Sequence, residues 1–407
     1  MPKHEPLRVW LHGMHVATLT SSKPGEVTGR YTEEALDTHP RNSPLLSCSL
    51  PLANRTYRAD VFFSGLLPEG QHRQAMADAA RLPTYDTFGI LDRFGRDVAG
   101  ALIISSEDPF ARMGETVEYA PGRLDDEVAA LPERPLALYD DSELSIAGLQ
   151  NKLLLVDLGS GRWARPVHGT PSTHILKVED RRYPGLVAAE AACLQIARAL
   201  GLTTVDTTVE TLADIPCLIV SRFDRINAPS GVQRIHQEDA TQALNRDPAA
   251  NEGRGKYESF GGPSWTEVAS LLDKYSAQPL VELTRLLAAM AFTVCVGNAD
   301  AHGKNISLLH PTPQTISLAP LYDTVPTALW PRLPARAAML VNGRTTLADV
   351  TLDDLVAEGV SWSLDPTAAR DAATETIEAV LSTIADIDAS PELVELIRRR
   401  SEELSHS

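Results

Sequence analysis

The 407-residue sequence contains only four cysteines, and none of them belongs to a CxxC pair. Cys48, Cys193, Cys217 and Cys295 stand singly, and the last three lie in apolar runs. Metal sites and redox dithiols built on cysteine need closely spaced pairs. We therefore expect buried thiols that serve as small core residues, without a zinc centre or a redox dithiol.

Long uninterrupted hydrophobic runs are also missing. The N-terminal stretch MPKHEPLRVW lacks the apolar core of a signal peptide, and the longest apolar stretch is interrupted by Glu282 and Arg285. We therefore expect a cytoplasmic protein with no membrane-spanning segment.

Positive charge is scarce: 37 lysines and arginines face 54 acidic residues, for a net charge of −17. An acidic surface repels phosphate backbones, which argues against a free-standing nucleic-acid binder but leaves DNA binding through a partner open. The length and the ordinary apolar content of 43% favour two domains, or two lobes of one large fold.

The first half of the chain is dominated by strand-like patterns. LRVWLHGMHVATLT predicts a hairpin that turns near Gly13, and DTFGILDRFGRDVAGALIIS predicts a short helix, a glycine-rich turn and a strand. Residues 109–140 are rich in acids and proline and are interpreted as a linker. Residues 145–225 predict a small sheet with one helix that ends at Gly201.

Helical patterns dominate from about residue 265 onward. They include SWTEVASLLDKY, the apolar run from 279 to 296, and two later segments that each begin near a proline suited to a first helical turn. The segment NRDPAANEGRGKYESFGGP before them is rich in glycine and charge and predicts a mobile loop, with an activation or substrate role left open. The outline is a β-rich lobe followed by an α-rich lobe.

A burst of polar residues, GNADAHGKN, follows the apolar run. Its Asp300 and Asn305 have the Asp-x4-Asn spacing with which kinase loops place a proton-accepting carboxylate and a metal-binding amide. Asp323 in LAPLYDT follows, as a second metal-binding carboxylate does in kinases, and Lys177 ends the strand HILK upstream. The order lysine, Asp-x4-Asn, aspartate matches phosphotransfer chemistry.

The usual phosphate-binding loop is absent, because the sequence has no GxxxxGK[ST] motif. GSGRWA fits a hairpin turn better than a phosphate loop. SIAGLQNK, which precedes the first strand of the small sheet, is the alternative loop that could close over phosphates.

Seven motifs occur in an order that resembles the HipA family of toxin kinases: SIAGLQNKLLL, THILKVE, SRFDR, HQEDATQAL, KYESFGGPSW, GNADAHGKNISLL and LAPLYDT. FFSGLLPEG and FGRDVAGAL resemble the N-terminal subdomain of that family, so the similarity runs from about residue 8 to 390. The resemblance implies an α+β, two-lobed protein-kinase-like (HipA-like) fold with a β-rich N-terminal and an α-helical C-terminal lobe. It divides the chain into an N-terminal subdomain (1–108), a linker (109–140) and a catalytic region (141–400) with a hinge near 221–225.

The resemblance also implies a role for each matching residue. Asp300 would be the catalytic base, Asn305 and Asp323 would hold Mg²⁺, and Ser145 would be autophosphorylated as an off-switch, since a phosphoserine adds negative charge beside the triphosphate. The implied ATP-binding residues are Ala147, Gly148, Leu149, Gln150, Asn151 and Lys152 in the phosphate loop, Lys177, the hinge residues Ser221, Arg222 and Phe223, Asp224 near the ribose, and His302, Gly303, Lys304, Asn305, Tyr322 and Asp323.

Two positions depart from familiar patterns. Position 221 is serine where the family often has glutamate, which a hinge that binds adenine through its backbone tolerates. Asn298 stands two residues before Asp300, where ordinary kinases have histidine, and this favours a HipA-like protein over an ordinary eukaryotic-type kinase.

Simpler interpretations stay open for several residues taken one at a time. Lys177 could be a solvated strand end, Asp323 could cap a turn, and His302 could be an ordinary loop histidine. Residues 237–239 could cap the helix that follows them.

The function implied by the resemblance is an ATP- and Mg²⁺-dependent serine/threonine protein kinase that acts as the toxin of a toxin–antitoxin pair. Its target would be an aminoacyl-tRNA synthetase, and its partner a HipB-like helix-turn-helix antitoxin that makes the main contacts with operator DNA. The alternatives are a small-molecule or lipid kinase on the same scaffold, and a kinase-like fold kept as a regulatory binding module.

Overall fold

The computed structural model describes residues 5–110, 114–134, 136, 138, 151–229 and 231–406. The chain forms two compact units. Unit 1 comprises Met1–Asp180, Thr208–Glu238 and His310–Gln314, and unit 2 comprises Arg181–Thr207, Asp239–Leu309 and Thr315–Ser407.

Unit 1 begins with a five-stranded antiparallel sheet in the order β4-β3-β2-β1-β5. Its first two strands form the predicted hairpin, in which His12 and Gly13 both take positive φ as a tight two-residue turn requires. The strands are Leu7–Leu11 (β1), Met14–Thr20 (β2), Thr28–Tyr31 (β3), Thr56–Arg58 (β4) and Leu102–Ser105 (β5), and the helices are Glu33–Thr38 (α1), Asp60–Gly65 (α2), Gly70–Ala80 (α3) and Thr87–Phe94 (α4). Phe62, Phe63, Phe88 and Phe94 lie in the apolar core on this sheet.

A second, six-stranded sheet in unit 1 has the order β10-β11-β9-β7-β8-β6. Its strands are Thr116–Glu118 (β6), Lys152–Asp157 (β7), Trp163–Pro166 (β8), His174–Val178 (β9), Thr207–Leu212 (β10) and Ile215–Ser221 (β11). The helix Arg123–Ala130 (α5) buries Leu124 and Val128 in the same core as β7, β9 and β11. The stretch 109–140, interpreted from sequence as a linker, thus contains one strand of this sheet and a helix that packs in its core.

Two short sheets follow along the chain. Arg225–Ala228 (β12) and Gly231–Arg234 (β13) form an antiparallel pair. Gln237–Asp239 (β14), Ser307–Thr312 (β15) and Thr315–Leu318 (β16) form a three-stranded sheet in sequence order.

Unit 2 is mainly helical and is built around one long helix, Pro279–Val296 (α10), which packs against four others. The remaining helices are Leu186–Ala199 (α6), Ala240–Ala243 (α7), Ala250–Gly253 (α8), Trp265–Tyr275 (α9), Leu352–Ser361 (α11), Pro366–Ile384 (α12) and Pro391–Ser405 (α13), with a small sheet of Arg336–Val341 (β17) and Arg344–Thr346 (β18). Proline occupies the first turn of α10, α12 and α13, where its missing N–H costs nothing.

Helix α10 is apolar on nearly every side. In the part of the chain that the structure describes, it is the one helix long and apolar enough to cross a membrane, and 67% of its apolar window is buried inside the protein. Glu282 on its first turn accepts a hydrogen bond from the backbone of Leu318 and pairs with Arg285. Helix α10 is therefore the central core helix of unit 2.

Candidate active site

The polar loop 298–305 begins where α10 ends. Gly297 takes a left-handed conformation (φ +71°), and its N–H closes the helix on Thr293 and Val294. A Cβ at this position would lie 2.9 Å from the Cβ of Ala328, so glycine is required both for the turn and for the close approach. The loop is therefore anchored to the most buried helix of unit 2.

Hydrogen bonds within the loop fix Asp300 and Asn305 relative to each other. The backbone N–H of Asp300 donates to the Asn298 side chain at 3.1 Å, and the Asn305 Nδ2 donates to the Asp300 carbonyl at 3.1 Å. The N–H groups of His302 and Asn305 close two further turns on Asp300 and His302. Asp300 is exposed, whereas Asn298, His302 and Asn305 are buried. The loop presents one solvent-facing acidic residue on a rigid base.

Asp323 reaches the same loop from the segment after β16. The Asn298 Nδ2 donates to the Asp323 carbonyl at 3.4 Å. Asp323 has φ +54°, a left-handed conformation that aspartate adopts more readily than most residues and that is uncommon outside turns and functional sites. Asn298 therefore joins the backbones that carry Asp300 and Asp323.

His302 is the buried titratable group of this loop. Burial, assisted by the charges of Lys256 and Lys304 and opposed by Asp323, lowers the pKa of His302 to about 3. The imidazole is neutral at physiological pH. Its Nδ1 has no hydrogen-bond partner among the described residues.

Lys304 and Tyr322 line the interior of the loop. The Lys304 ammonium forms a buried ion pair with Asp239 at 3.0 Å, and Asp239 also caps the N-terminus of α7, as the sequence predicted for residues 237–239. The Tyr322 hydroxyl donates to the Lys304 carbonyl at 2.7 Å and lies 2.6 Å from the Ser307 hydroxyl. Both side chains therefore stabilise the loop from its interior side.

A further residue, Tyr257, contacts the loop, and the sequence did not single it out. Its hydroxyl donates to the Asp300 Oδ1 at 2.9 Å, and its ring packs edge-on against His302 with centroids 5.4 Å apart. The signal was present in KYESFGGPSW, but no spacing rule connects a tyrosine to an aspartate 43 residues later. The segment predicted as a mobile loop is, at residues 256–263, hydrogen bonded to the polar loop.

Lys177 lies in unit 1, on strand β9 of the six-stranded sheet. It is buried and stands directly opposite Lys152 of β7 in the antiparallel register, so the two side chains share one face of the sheet. Both lysines are among the residues predicted to bind ATP, and the register places them on the same side of the sheet.

The structure describes only the end of the predicted phosphate loop. Asn151 accepts a backbone hydrogen bond from Val178 at 3.0 Å, which aligns the start of β7 with the end of β9. Ser145, Ala147, Gly148, Leu149 and Gln150 lie outside the described residues.

The predicted hinge begins at the last residue of β11, Ser221. Phe223 is half-buried, and the Arg222 N–H donates to the Thr173 carbonyl at 2.9 Å. The side chains of Arg222 and Asp224 are fully buried, with the Arg222 Nε 2.9 Å from the Asp224 carboxylate. A contact between Asp224 and a ribose stays a prediction.

Asp224 belongs to a buried ion network that reaches back to residues 97–100. Its carboxylate accepts a hydrogen bond from the Gly100 N–H at 2.7 Å, and Arg225 pairs with Asp97 at 2.9 Å. Burial alone would raise the pKa of Asp224, but the guanidinium groups of Arg222 and Arg225 hold it well below its usual range. The network ties the hinge segment to the turn before β5.

The predicted site residues therefore fall into two groups. Unit 2 brings together Asp300, His302, Gly303, Lys304, Asn305, Tyr322 and Asp323, and unit 1 holds Asn151, Lys152, Lys177 and residues 221–224. The first group combines an exposed carboxylate, an amide and a second carboxylate on one short backbone frame. Such a frame is suited to holding a metal and a proton acceptor at fixed positions.

The donor set of this loop fits a hard divalent cation. Asn305 and Asp323 offer amide and carboxylate oxygens, which Mg²⁺ prefers. The Asn305 Nδ2 is used by the Asp300 carbonyl, and this assigns the amide oxygen as the available ligand atom. The described residues include no group of three or more histidine, cysteine, aspartate or glutamate side chains able to hold a metal. Two oxygen ligands from Asn305 and Asp323 would leave the rest of the shell of such an ion to phosphate and water oxygens.

Comparison with protein families identifies two adjacent matches. Residues 7–105 match the HipA N-terminal domain, and residues 144–384, more than half of the chain, match the HipA-like C-terminal domain. The chain belongs to the HipA family. A similar protein is the putative kinase Y4mE of Sinorhizobium fredii, 39% identical over 85% of this chain and 83% of that protein. The HipA-family relative named serine/threonine-protein kinase toxin HipA, from Shewanella oneidensis, is 29% identical over 73% of this chain and 70% of that protein.

A solved structure confirms the fold. The Shewanella oneidensis HipA, in a complex with HipB and its operator DNA, matches with a TM-score of 0.80 over 98% of this chain and 95% of that chain, at 23% identity. The predicted α+β, two-lobed kinase-like fold is thus correct, and the protein is a HipA-family kinase.

Proposed function

We propose that this protein is an ATP- and Mg²⁺-dependent serine/threonine protein kinase that acts as the toxin of a toxin–antitoxin pair. The observation that carries the proposal is the frame in which Asn298 and Asn305 hydrogen bond to the backbones of Asp323 and Asp300. It holds two carboxylates and an amide in one place, each with a distinct use in phosphotransfer.

Asp300 is the catalytic base in this proposal. Its exposed carboxylate accepts the proton of the acceptor hydroxyl while the hydroxyl oxygen bonds to the γ-phosphorus, and the bond from phosphorus to the leaving ADP oxygen breaks. Asn305 and Asp323 hold Mg²⁺. When bound, the metal neutralises negative charge on the phosphate oxygens.

The remaining predicted residues bind the nucleotide. Lys177 and Lys152 lie opposite each other on neighbouring strands and contact the triphosphate. Residues 147–152 cover the phosphates, and the backbone of 221–223 meets the adenine. His302, Gly303, Lys304 and Tyr322 line the site from the loop side.

Replacement of Asp300 by asparagine tests the assignment of the base. The variant keeps an oxygen for the Tyr257 hydroxyl but lacks a proton acceptor. We expect Mg-ATP binding by calorimetry to be unchanged and phosphotransfer to fall by about 100-fold to 10,000-fold. If Asp300→Asn still phosphorylates itself or a target at the wild-type rate, Asp300 is not the base.

Regulation and partners are proposed from the relatives. The Shewanella protein is named as a toxin and was solved with HipB and operator DNA. For this chain we propose a HipB-like helix-turn-helix antitoxin, DNA contact mainly through that antitoxin, and a cytoplasmic location. The net charge of −17 supports an arrangement in which the partner supplies the DNA contacts. Co-purification with the product of a neighbouring helix-turn-helix reading frame is the test.

The phosphorylated protein is proposed to be an aminoacyl-tRNA synthetase, with autophosphorylation at Ser145 as the off-switch. Labelled ATP added to a cell lysate is expected to mark a protein band, and a labelled small molecule or lipid instead would favour the alternative kinase classes. Phosphoproteomics after induction identifies the target. Calorimetry on protein shown to be unphosphorylated at Ser145 tests nucleotide binding, and no binding there would support a regulatory module.

We further propose that the chain divides functionally into the N-terminal subdomain 1–108, a connecting segment 109–140 and the catalytic region 141–400. The two family matches, at 7–105 and 144–384, support this division. Limited proteolysis with mass spectrometry is the test, with cleavage expected first between 109 and 140.

A further inference from the structure

The Tyr257 hydroxyl hydrogen bonds to the side chain of the proposed base, Asp300. The phenol donates to Oδ1 at 2.9 Å. The bond uses one of the two carboxylate oxygens. The bond also restrains the rotation of a side chain that is otherwise exposed.

The tyrosine is itself held in place. Its ring lies edge-on to the buried His302 at an interplanar angle of 86°. The carbonyl of the preceding residue, Lys256, accepts a hydrogen bond from the Gly303 N–H at 3.1 Å, and the Tyr257 carbonyl accepts one from the Gly262 N–H at 3.0 Å.

Close packing at Gly303 adds a second attachment. A Cβ at Gly303 would lie 2.5 Å from the Pro263 ring, so the Gly303 backbone packs against that ring without room for a side chain. Residues 256–263 are thus attached to the polar loop at both ends. These contacts hold Tyr257 in place as a hydrogen-bond donor to Asp300. A segment that acted as a gate would instead have to move away from the polar loop.

We propose that Tyr257 is a positioning residue of the kinase: its hydroxyl holds Asp300 through Oδ1 in the orientation in which the carboxylate accepts the proton of the acceptor hydroxyl. The proposal deepens the proposed function and rests on it. Misplacement of a catalytic group by about 1 Å can lower a rate by roughly 100-fold. A tyrosine that only packs against the loop would affect stability without such an effect on the maximal rate.

The test compares Tyr257→Phe, Tyr257→Ala and wild type in the full-length chain. Phenylalanine keeps the ring against His302 and removes the hydroxyl, whereas alanine removes both. The probe is γ-phosphate-labelled ATP, with transfer to the chain itself measured as a function of ATP concentration. The matched control is Tyr85→Phe, because the Tyr85 side chain is 63% exposed and lies outside the site.

For Tyr257→Phe we expect a maximal rate about 10-fold to 100-fold below wild type, with the half-saturating ATP concentration changed less than about twofold. Tyr257→Ala is expected to be slower still and less stable, and Tyr85→Phe to match wild type. A lower maximal rate at a nearly unchanged half-saturating ATP concentration distinguishes positioning of the base from nucleotide binding. The comparison of phenylalanine with alanine distinguishes it from packing.

Three results would overturn the proposal. The first is a Tyr257→Phe variant with the wild-type maximal rate. The second is a change confined to the half-saturating ATP concentration. The third is phosphate on Tyr257 in mass spectra of the wild type, because the phenol would then be an acceptor. A wild-type chain that binds Mg-ATP but transfers no phosphate would instead refute the proposed kinase function, and the positioning role with it.

Discussion

The Lys304 ammonium and the Asp239 carboxylate form a buried ion pair with an N–O distance of 3.0 Å. The pair joins the polar loop to the N-cap residue of α7. A buried charge that loses its partner is left in a poorly solvating environment. Asp239→Asn removes the charge and keeps a side chain able to cap the helix, so the loss of the ion pair with Lys304 is the main change.

We expect Asp239→Asn to lower the free energy of unfolding by about 3–5 kcal/mol. The double variant with Lys304→Met should recover part of the loss, because both charges of the buried pair are then removed. Denaturant unfolding measures both, and the exposed pair Arg370–Asp353 provides a control, since Arg370→Ala should cost less than about 1 kcal/mol. An equal loss in the single and double variants would contradict the prediction.

Asp323 is predicted to be needed for metal-dependent activity and dispensable for folding. Asn tolerates the left-handed backbone of this position nearly as well as Asp but supplies no charge to a cation. We expect Asp323→Asn to keep the wild-type melting temperature and to lower the phosphotransfer rate by about 100-fold or more at low Mg²⁺. A Mg²⁺ titration of the rate measures this, with the exposed Asp386→Asn as control. An unchanged Mg²⁺ requirement would remove Asp323 from the proposed ligands.

Gly303→Ala is predicted to separate the segment 256–263 from the polar loop. The new methyl group would lie 2.5 Å from the Pro263 ring and 3.0 Å from the Thr241 methyl group. Overpacking of this kind costs about 1–3 kcal/mol, so we expect the melting temperature and the phosphotransfer rate to fall together. Pro263→Ala makes room and should partly rescue Gly303→Ala in both measurements. No rescue would mean that another contact dominates.

His302 is predicted to make stability depend on pH. Its pKa falls from an ordinary value of 6.5 to about 3 because it is buried beside Lys256 and Lys304. The unfolded chain therefore binds a proton that the folded protein excludes, so the contribution of neutral His302 is complete above pH 6.5 and declines as the pH falls towards 3.

Between pH 7 and pH 5 this contribution should decrease by about 2 kcal/mol. The measurement is the free energy of unfolding of wild type and His302→Gln at both pH values. The difference between the two proteins should shift by that amount in favour of the variant at pH 5. A pH-independent difference would show that His302 takes up a proton equally in both states.

Much of the local structure followed from patterns in the sequence. The apolar run 279–296 is one helix that is capped by Gly297, and the five strands between residues 152 and 221 lie where the sequence predicted strands. The helix α5 was missed because acids and proline surround it, while only Leu124 and Val128 face the core. Two apolar residues are too few to stand out from a segment that resembles a linker.

The sequence indicated candidate site residues, but it gave less information about which residues contact one another. Asp300 and Asn305 could be paired because only four residues separate them on one loop. Tyr257 and Asp300 are 43 residues apart, and Arg222 lies 124 residues from the carbonyl of Val98, to which it donates. Such pairs form only in the tertiary fold, so no periodicity in the sequence predicts them. Arg222 and Asp224 are predicted hinge residues. Their side chains form a buried ion network that no local sequence pattern could reveal.

That network has a consequence for synthesis on the ribosome. The first sheet is complete in sequence at Ser105, yet Asp97 pairs with Arg225, 128 residues later. At about 5–20 residues per second, the partner of this carboxylate is made roughly 6–25 s after it. During that interval Asp97 stays hydrated, because the arginines that pair with it in the buried network have not yet been made. We therefore expect the turn at 97–100 to reach its buried arrangement only after the arginines at 222–234 have been synthesised.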